Sequence, residues 1–268
     1  MSQHATAVVD DSANVEPVSL AHATRSSLAA VTLVATDIDG TMTRAGRLAG
    51  DVVDAVARLV DAGIEVLPVS GRPSGEVLGL ARYLPGVRRA VAENGLVLVV
   101  PGVGVTPLGA PPDRPRLIEL AMVLGAGPGR TPLMPAEDAF CRLADLAFER
   151  DGRSDAELVP MQVQAAAAGV HLIWSNVHIH LSLDAPDKGA AVLGLCQQAQ
   201  IAPAHVLAIG DAPNDAGFWL PGRFGVAVGC AQVLAQRAVL PHLPRYVVGE
   251  AADGWIEMAE ALLAARQP

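Results

Sequence analysis

Apolar and polar positions along the first third of the chain alternate between two periods. Val31 to Asp39 is a short apolar run ending in polar residues, which predicts a buried strand. Asp51 to Ala62 places Val52, Val53, Val56, Leu59 and Val60 on one helical face, with Gly63 as the stop. Ile64 to Val69 predicts a second buried strand. Pro73 to Tyr83 predicts a helix with proline in its first turn, and Arg89 to Ala92 a short strand leading into Glu93-Asn94-Gly95. This βαβαβ order predicts a parallel sheet with right-handed crossovers.

The pattern then changes. Leu96 to Val100 reads as a strand and Pro101 to Pro115 as turns. Arg116 to Leu124, Glu137 to Arg150 and Glu157 to Ala168 read as helices. Val170 to Trp174 and His178 to Leu183 predict a β-hairpin around Ser175-Asn176. Helices beside antiparallel strands predict an α+β unit inserted into the first. The α/β order resumes at Asp187, placed to cap a helix running to Gln200. Val206 to Asp211, Phe224 to Val228 and Tyr246 to Val248 follow as strands, and Asn214 to Leu220 and Gly254 to Ala265 as helices. The expected division is a disordered tail over residues 1–30, an α/β core from 31–95 and 186–268, and an inserted unit over 96–185.

Composition sharpens this picture. The 268 residues are 51% hydrophobic but only 3% aromatic, so a sizeable core must be filled by Ala, Val and Leu. A net charge of −9 argues against non-specific binding to nucleic acid or anionic membranes. A phosphate-bearing substrate would then need locally placed cations. Cys141, Cys196 and Cys230 show no paired spacing and read as buried thiols in a reducing compartment. Met1 to Ser27 lacks a basic start followed by an apolar core, and no stretch is long and apolar enough to span a membrane. A cytoplasmic protein is expected; nothing in the pattern sets its oligomeric state.

Two acidic clusters end predicted strands: Asp37-Ile38-Asp39-Gly40-Thr41 and Gly210-Asp211-Ala212-Pro213-Asn214-Asp215. Carboxylates converging from the ends of parallel strands repel one another unless a cation holds them. Hard oxygen ligands of this kind suit Mg²⁺. Together with Ser70-Gly71-Arg72 after a strand and Lys188-Gly189, these clusters resemble, in order, the signatures of the haloacid dehalogenase superfamily of phosphatases. The insert, with Glu93-Asn94-Gly95, is similar to the C2-type cap of the Cof-like and sucrose-phosphatase-like branch. His178-Ile179-His180-Leu181 followed by Asp187-Lys188-Gly189 resembles the archaeal-type phosphoglycolate phosphatases.

The resemblance implies a Rossmann-like α/β core carrying an α+β cap. It implies Mg²⁺-dependent hydrolysis of a small phosphorylated metabolite, phosphoglycolate or a sugar phosphate, through an aspartyl-phosphate. Asp37 would be the nucleophile. Asp37, the backbone carbonyl of Asp39, and Asp211 would ligate the metal, with Asp215 a ligand or an outer partner. Asp39 would protonate the leaving oxygen and then activate water. Ser70 is a natural donor to a phosphate oxygen, and Gly71 lets backbone approach closely. Lys188 begins a helix, where the dipole disfavours a cation, which points to use against phosphate and Asp37. Asn214 is expected to hydrogen-bond within the site and Thr41 to support the loop around Asp39. Arg72, Arg130 and Arg142 are candidates for a substrate anion. His178 and His180 share a strand face without further ligands for a zinc site. Ala212 stands where the family often carries a small hydroxyl residue. A phosphomutase and, more remotely, a phospho-acceptor signalling module are the competing functions.

Overall fold

The computed structural model describes residues 16–126 and 131–267. Its central sheet has six parallel strands, in the order Val18–Ser19, Tyr246–Val248, Val226–Cys230, Val206–Gly210, Leu33–Thr36 and Glu65–Pro68. Both faces are covered, so interior strands are apolar throughout rather than alternating with polar residues. Successive side chains still point to opposite layers. Val34, Leu207 and Ile209 pack with Val52, Val56 and Leu59 of helix Gly50–Asp61 and with Trp255 and Leu262 of helix Ala251–Arg266. Leu33, Ala35, Val206 and Ala208 pack on the other face with Val192 and Leu195 of helix Lys188–Ala199.

Beyond Glu65–Pro68, a parallel bridge joins Val69 to Val91. Strand Ala90–Ala92 then forms an antiparallel ribbon with Val97–Val100 and Gly104–Pro107. Val97 and Val99 are buried in the same apolar layer as Val34. This ribbon therefore packs with the core, although the sequence pattern placed residue 96 onward in the insert.

The insert has its own core. Strands His171–Trp174, His178–Ser182 and Asp145–Glu149 form an antiparallel sheet with His178–Ser182 in the centre. Helices Arg114–Gly125 and Asp155–Ala167 supply Leu117, Leu124, Leu158 and Met161 against Leu146, Phe148, Leu172 and Ile179.

Four expectations are corrected. Glu137–Arg150 is a short 3-10 turn, Ala139–Cys141, and the strand Asp145–Glu149 rather than a helix. The amides of Leu143, Ala144 and Asp145 donate to the Glu93 carboxylate at 2.9, 2.7 and 3.3 Å, which takes them out of any helical ladder. Residues 16–30 are ordered, not a tail: Val18–Ser19 pairs with Tyr246–Val247, and Leu20 and Leu28 are buried. These elements, a two-residue strand and a five-residue helix, are too short to show a period. The segment 101–115, read as turns, contains the strand Gly104–Pro107 and the start of a helix capped by Asp113. Finally, Asn214–Leu220 is a 3-10 helix, Pro213–Phe218. Residues 1–15 and Arg130 lie outside the described residues.

Candidate active site

The site lies beyond the carboxyl ends of the adjacent strands Leu33–Thr36 and Val206–Gly210, where open α/β sheets place their ligands. The Asp37 amide donates to the Ile209 carbonyl at 2.9 Å, so the ladder runs up to the acidic side chain itself. Asp211 follows directly after the neighbouring strand. Between them the loop turns at Gly40, whose φ of +79° suits glycine; a Cβ there would sit 2.4 Å from Asp211 Oδ2. Gly210 is likewise obligatory, since its Cβ would meet the Asp215 carboxyl carbon at 2.4 Å.

Lys188 joins the two clusters. Its Nζ, with no exposed side-chain surface, donates to Asp37 Oδ1 and to Asp215 Oδ1, each at 2.6 Å. The other Asp215 oxygen accepts from the amides of Asp211 at 2.9 Å and Ala212 at 3.1 Å. Asp215 is thus fully committed to holding the lysine and the loop. Asp211 Oδ1 accepts from Thr41 Oγ1 at 3.0 Å, and Asp211 Oδ2 from Asn176 Nδ2 at 2.7 Å.

Burial pushes the Asp37 carboxyl well above its usual range; Lys188 pulls it back, while Asp215 and Asp211 push it further up. Burial, then Asp215, moves Asp211 to about 7. Burial alone would lower Lys188, but Asp215 and Asp37 raise it, so it stays an ammonium. Asp37, Asp211 and Asp215 each offer an oxygen within 4.8 Å of the others. With all three carboxylates ionised, one ammonium would leave two negative charges in excess, and the raised Asp37 and Asp211 carboxyls reflect burial and that crowding. That donor set fits a small hard divalent cation.

Asp39 faces elsewhere. Arg72 Nε and Nη2 grip its carboxylate in a fork at 2.6 and 2.7 Å, and Arg72 Nη1 reaches Glu76 at 2.5 Å. The Ser70 hydroxyl accepts from the Arg72 amide at 3.1 Å and lines the same cavity as Asp37 and Asp39. Gly71 lies where a Cβ would meet Asn94 Oδ1 at 2.9 Å. Asn214 donates to Asn94 Oδ1 at 3.0 Å, and its own Oδ1 is buried without a partner beside the cavity. Asn94 is held by a buried turn, Glu93-Asn94-Gly95, with φ of +51°, +58° and +105°. Backbone of this kind persists only where its surroundings fix it.

Sequence-predicted residues Asp37, Thr41, Lys188, Asp211 and Asp215 therefore meet in one cluster, with Asp39, Ser70, Gly71 and Asn214 around the adjoining cavity of about 570 Å³. Arg142 is elsewhere. It is buried in the insert, bonded to Asp138 and Asp145, and reaches the core through the Gly71 carbonyl at 2.9 Å. His180 Nδ1 pairs with Asp145 at 2.9 Å, and burial holds the ring below its usual pKa. The sequence reading gave Asn176 and Gln236 no role, and Glu93 only a place in the Glu93-Asn94-Gly95 signature that accompanies the insert. Asn176 was visible only as part of a hairpin turn.

Comparison with known proteins follows the same line. The chain is 32% identical to a protein called phosphoglycolate phosphatase from Pyrobaculum neutrophilum over 206 residues, covering 75% of this chain and 84% of the relative. It is also 32% identical to a phosphoglycolate phosphatase of Pyrobaculum aerophilum, covering 85% and 93%. Among solved structures it is similar to Thermoplasma acidophilum 0175, with a TM-score of 0.71, 20% identity and coverage of 87% and 98%. The sucrose-phosphatase of Synechocystis sp. PCC6803 superposes with a TM-score of 0.62 at 15% identity, covering 86% and 97%. No protein-family model matches the chain.

Proposed function

The chain belongs to the haloacid dehalogenase superfamily of phosphatases, and from that premise we propose that it is a Mg²⁺-dependent hydrolase of small phosphate monoesters with Asp37 as nucleophile. The observation that carries this reading is the buried Asp37–Lys188–Asp215 ion pair system beside Asp211. Asp37 and Asp211 would hold the metal, joined by the Asp39 backbone carbonyl; Asp215 would act as an outer partner, since both its oxygens are committed. A bound divalent cation would supply charge neutralisation for the incoming phosphate and the developing transition state.

The residues perform the rest. Lys188 pulls the Asp37 carboxyl back toward its ionised form against burial and points it, as a carboxylate nucleophile requires. Asp37 attacks phosphorus, the ester oxygen leaves with a proton from Asp39, which takes that proton from solvent on leaving the Arg72 fork, and an aspartyl-phosphate results. Asp39 then takes a proton from water, which attacks phosphorus and frees Asp37. Arg72 positions Asp39 at the cavity wall. Ser70 and the Asn214 amide, with its unpaired oxygen, line the place of the phosphate. The insert closes the cavity from above and would act as the cap.

The cavity also bears on substrate choice. Among the described residues lining it, Arg72 is already engaged by Asp39 and Glu76, and buried His180 is held neutral. His178 Nε2 lies 3.8 Å from Glu149, and Glu137 adds a further carboxylate. Among the described residues, a second anion on the substrate would face these carboxylates with no unpaired lysine or arginine lining the cavity. This favours the sugar phosphate over phosphoglycolate as substrate class, because hydroxyls donate to carboxylates. Each carboxylate near a second substrate anion costs about 1 kcal/mol, roughly fivefold in kcat/KM. Glu149→Gln should therefore raise kcat/KM for phosphoglycolate several-fold and leave an aryl phosphate unchanged. Phosphate release over a panel of phosphometabolites tests both points. The Asp37→Asn protein, folded by circular dichroism, should release none; near-normal release would remove Asp37 from the chemistry.

A further inference from the structure

The turn between strands His171–Trp174 and His178–Ser182 is closed by Ser175, whose hydroxyl accepts from the amides of Val177 and His178 at 3.1 Å each. Asn176 sits at its tip. Its backbone belongs to the insert, yet its side chain reaches across the cavity to a fully buried residue of the core, Asp211. A carboxylate only accepts, so the amide nitrogen of Asn176 must face Asp211 Oδ2. Its other end agrees: Gln236 Nε2 donates to Asn176 Oδ1 at 3.1 Å and lies 3.4 Å from the Asp211 carbonyl. One Asp211 oxygen is thus held from the core by Thr41 and the other from the insert by Asn176.

We propose that Asn176 is a positioning residue for the metal site, so that seating the insert on the core completes the hydrogen-bond shell of Asp211 and tightens metal binding. The proposal rests on the reading of Asp211 as a metal ligand. A neutral amide suits this task. It fixes the carboxylate rotamer and favours its ionised form without adding charge to a site already overloaded with anions. Outer partners of this kind change metal affinity by about 10–100-fold when removed. They do so without touching substrate, and here the partner comes from the insert while the carboxylate belongs to the core. By reciprocity, a bound metal should in turn hold the turn at 175–177 against the core.

The test is Mn²⁺ titration of the full-length protein, followed by the loss of free-ion electron paramagnetic resonance signal, with thermal unfolding as the check on folding. Asn176→Ala should weaken Mn²⁺ binding about tenfold. The metal concentration for half-maximal activity should rise by the same factor, while KM at saturating metal stays put. Gln236→Leu should weaken it less, and the double variant should lose little more than Asn176→Ala alone, because Gln236 reaches the Asp211 side chain through Asn176 and touches only its carbonyl directly. Val177→Ala controls for damage to the turn. Mn²⁺ affinity of Asn176→Ala within twofold of the parent, or an equal loss in Val177→Ala, overturns the proposal. Asp211→Asn separates this from the underlying reading. If that variant binds Mn²⁺ as tightly as the parent, Asp211 is not a ligand and both fall.

Discussion

Lys188 shows how much one side chain can carry in this molecule. It opens a helix, against the dipole, and is buried between two carboxylates. A buried charge is tolerable only with partners, and the partners are intolerable without it. Lys188→Met should therefore cost about 3 kcal/mol of stability in chelator-treated protein, because Asp37 and Asp215 lose their counter-charge. Urea unfolding measures this, and the loss should shrink when Mg²⁺ is added. A cost below about 1 kcal/mol would mean that the carboxylates are already neutral. At this scale the sequence was most informative where a residue sits at the end of a predicted strand. Asp37, Asp211 and Ser70 could be placed because the strands that carry them are apolar throughout. Asn176 could not, since its partner lies 35 positions away and nothing local marks a turn asparagine as a donor to a carboxylate. Arg142 was legible as a cation but not as a buried one, because Asp138 and Asp145 neutralise it only after the turn Ala139–Cys141 between them forms.

Among elements, the strand Asp145–Glu149 holds the insert to the core from two sides. Glu93 of the core grips the amides at 143–145, and Arg142 returns a bond to the Gly71 carbonyl. Asp145 also takes His180, which creates a pH dependence. Burial lowers the His180 pKa from 6.5 in spite of Asp145. Asp145 would be raised by burial, but Arg142 and His180 together hold it below 3.8. Both folded values lie under the unfolded ones, so both contribute stability at high pH that is lost as pH falls, His180 from about 6.5 downward. Burial, then Asp145, raises Glu93, which has the opposite sign and loses its contribution as pH rises through its folded value. His180→Asn keeps a donor for Asp145 and removes the titration. Its urea stability should fall less than that of the parent between about pH 7.5 and 5.5. An unchanged pH slope would show that His180 is free to charge in the folded state. The helix expected over this region was wrong for a reason outside the local pattern: its amides have a better acceptor in Glu93, 50 to 52 residues away.

Over the whole molecule, the parallel sheet was legible in the βαβ rhythm at each end of the chain; its strand order, with Val18–Ser19 at one edge, was not. The exact seam between core and insert was not. The strand Val97–Val100 reads like the antiparallel strands of the insert, but its side chains Val97 and Val99 fill the core. Among the described residues no helix is long and apolar enough to cross a membrane. The chain carries a net charge of −9, and among the described residues the cavity is lined by one arginine, Arg72, which is paired to Asp39; Lys188, buried behind Asp37, is paired as well. The central claim is that the chemistry passes through Asp37 as an aspartyl-phosphate released with help from Asp39. The most direct measurement is acid quenching of the Asp39→Ala protein mixed with Mg²⁺ and an aryl phosphate, followed by peptide mass spectrometry. The aryl group leaves without an acid, whereas the hydrolysis that needs a base stalls. The account predicts one phosphoryl group on the peptide that carries Asp37, lost again when Asp37→Asn is added to the variant. Aryl release with no phosphoryl group on that peptide, or a phosphoryl group on another, would contradict it.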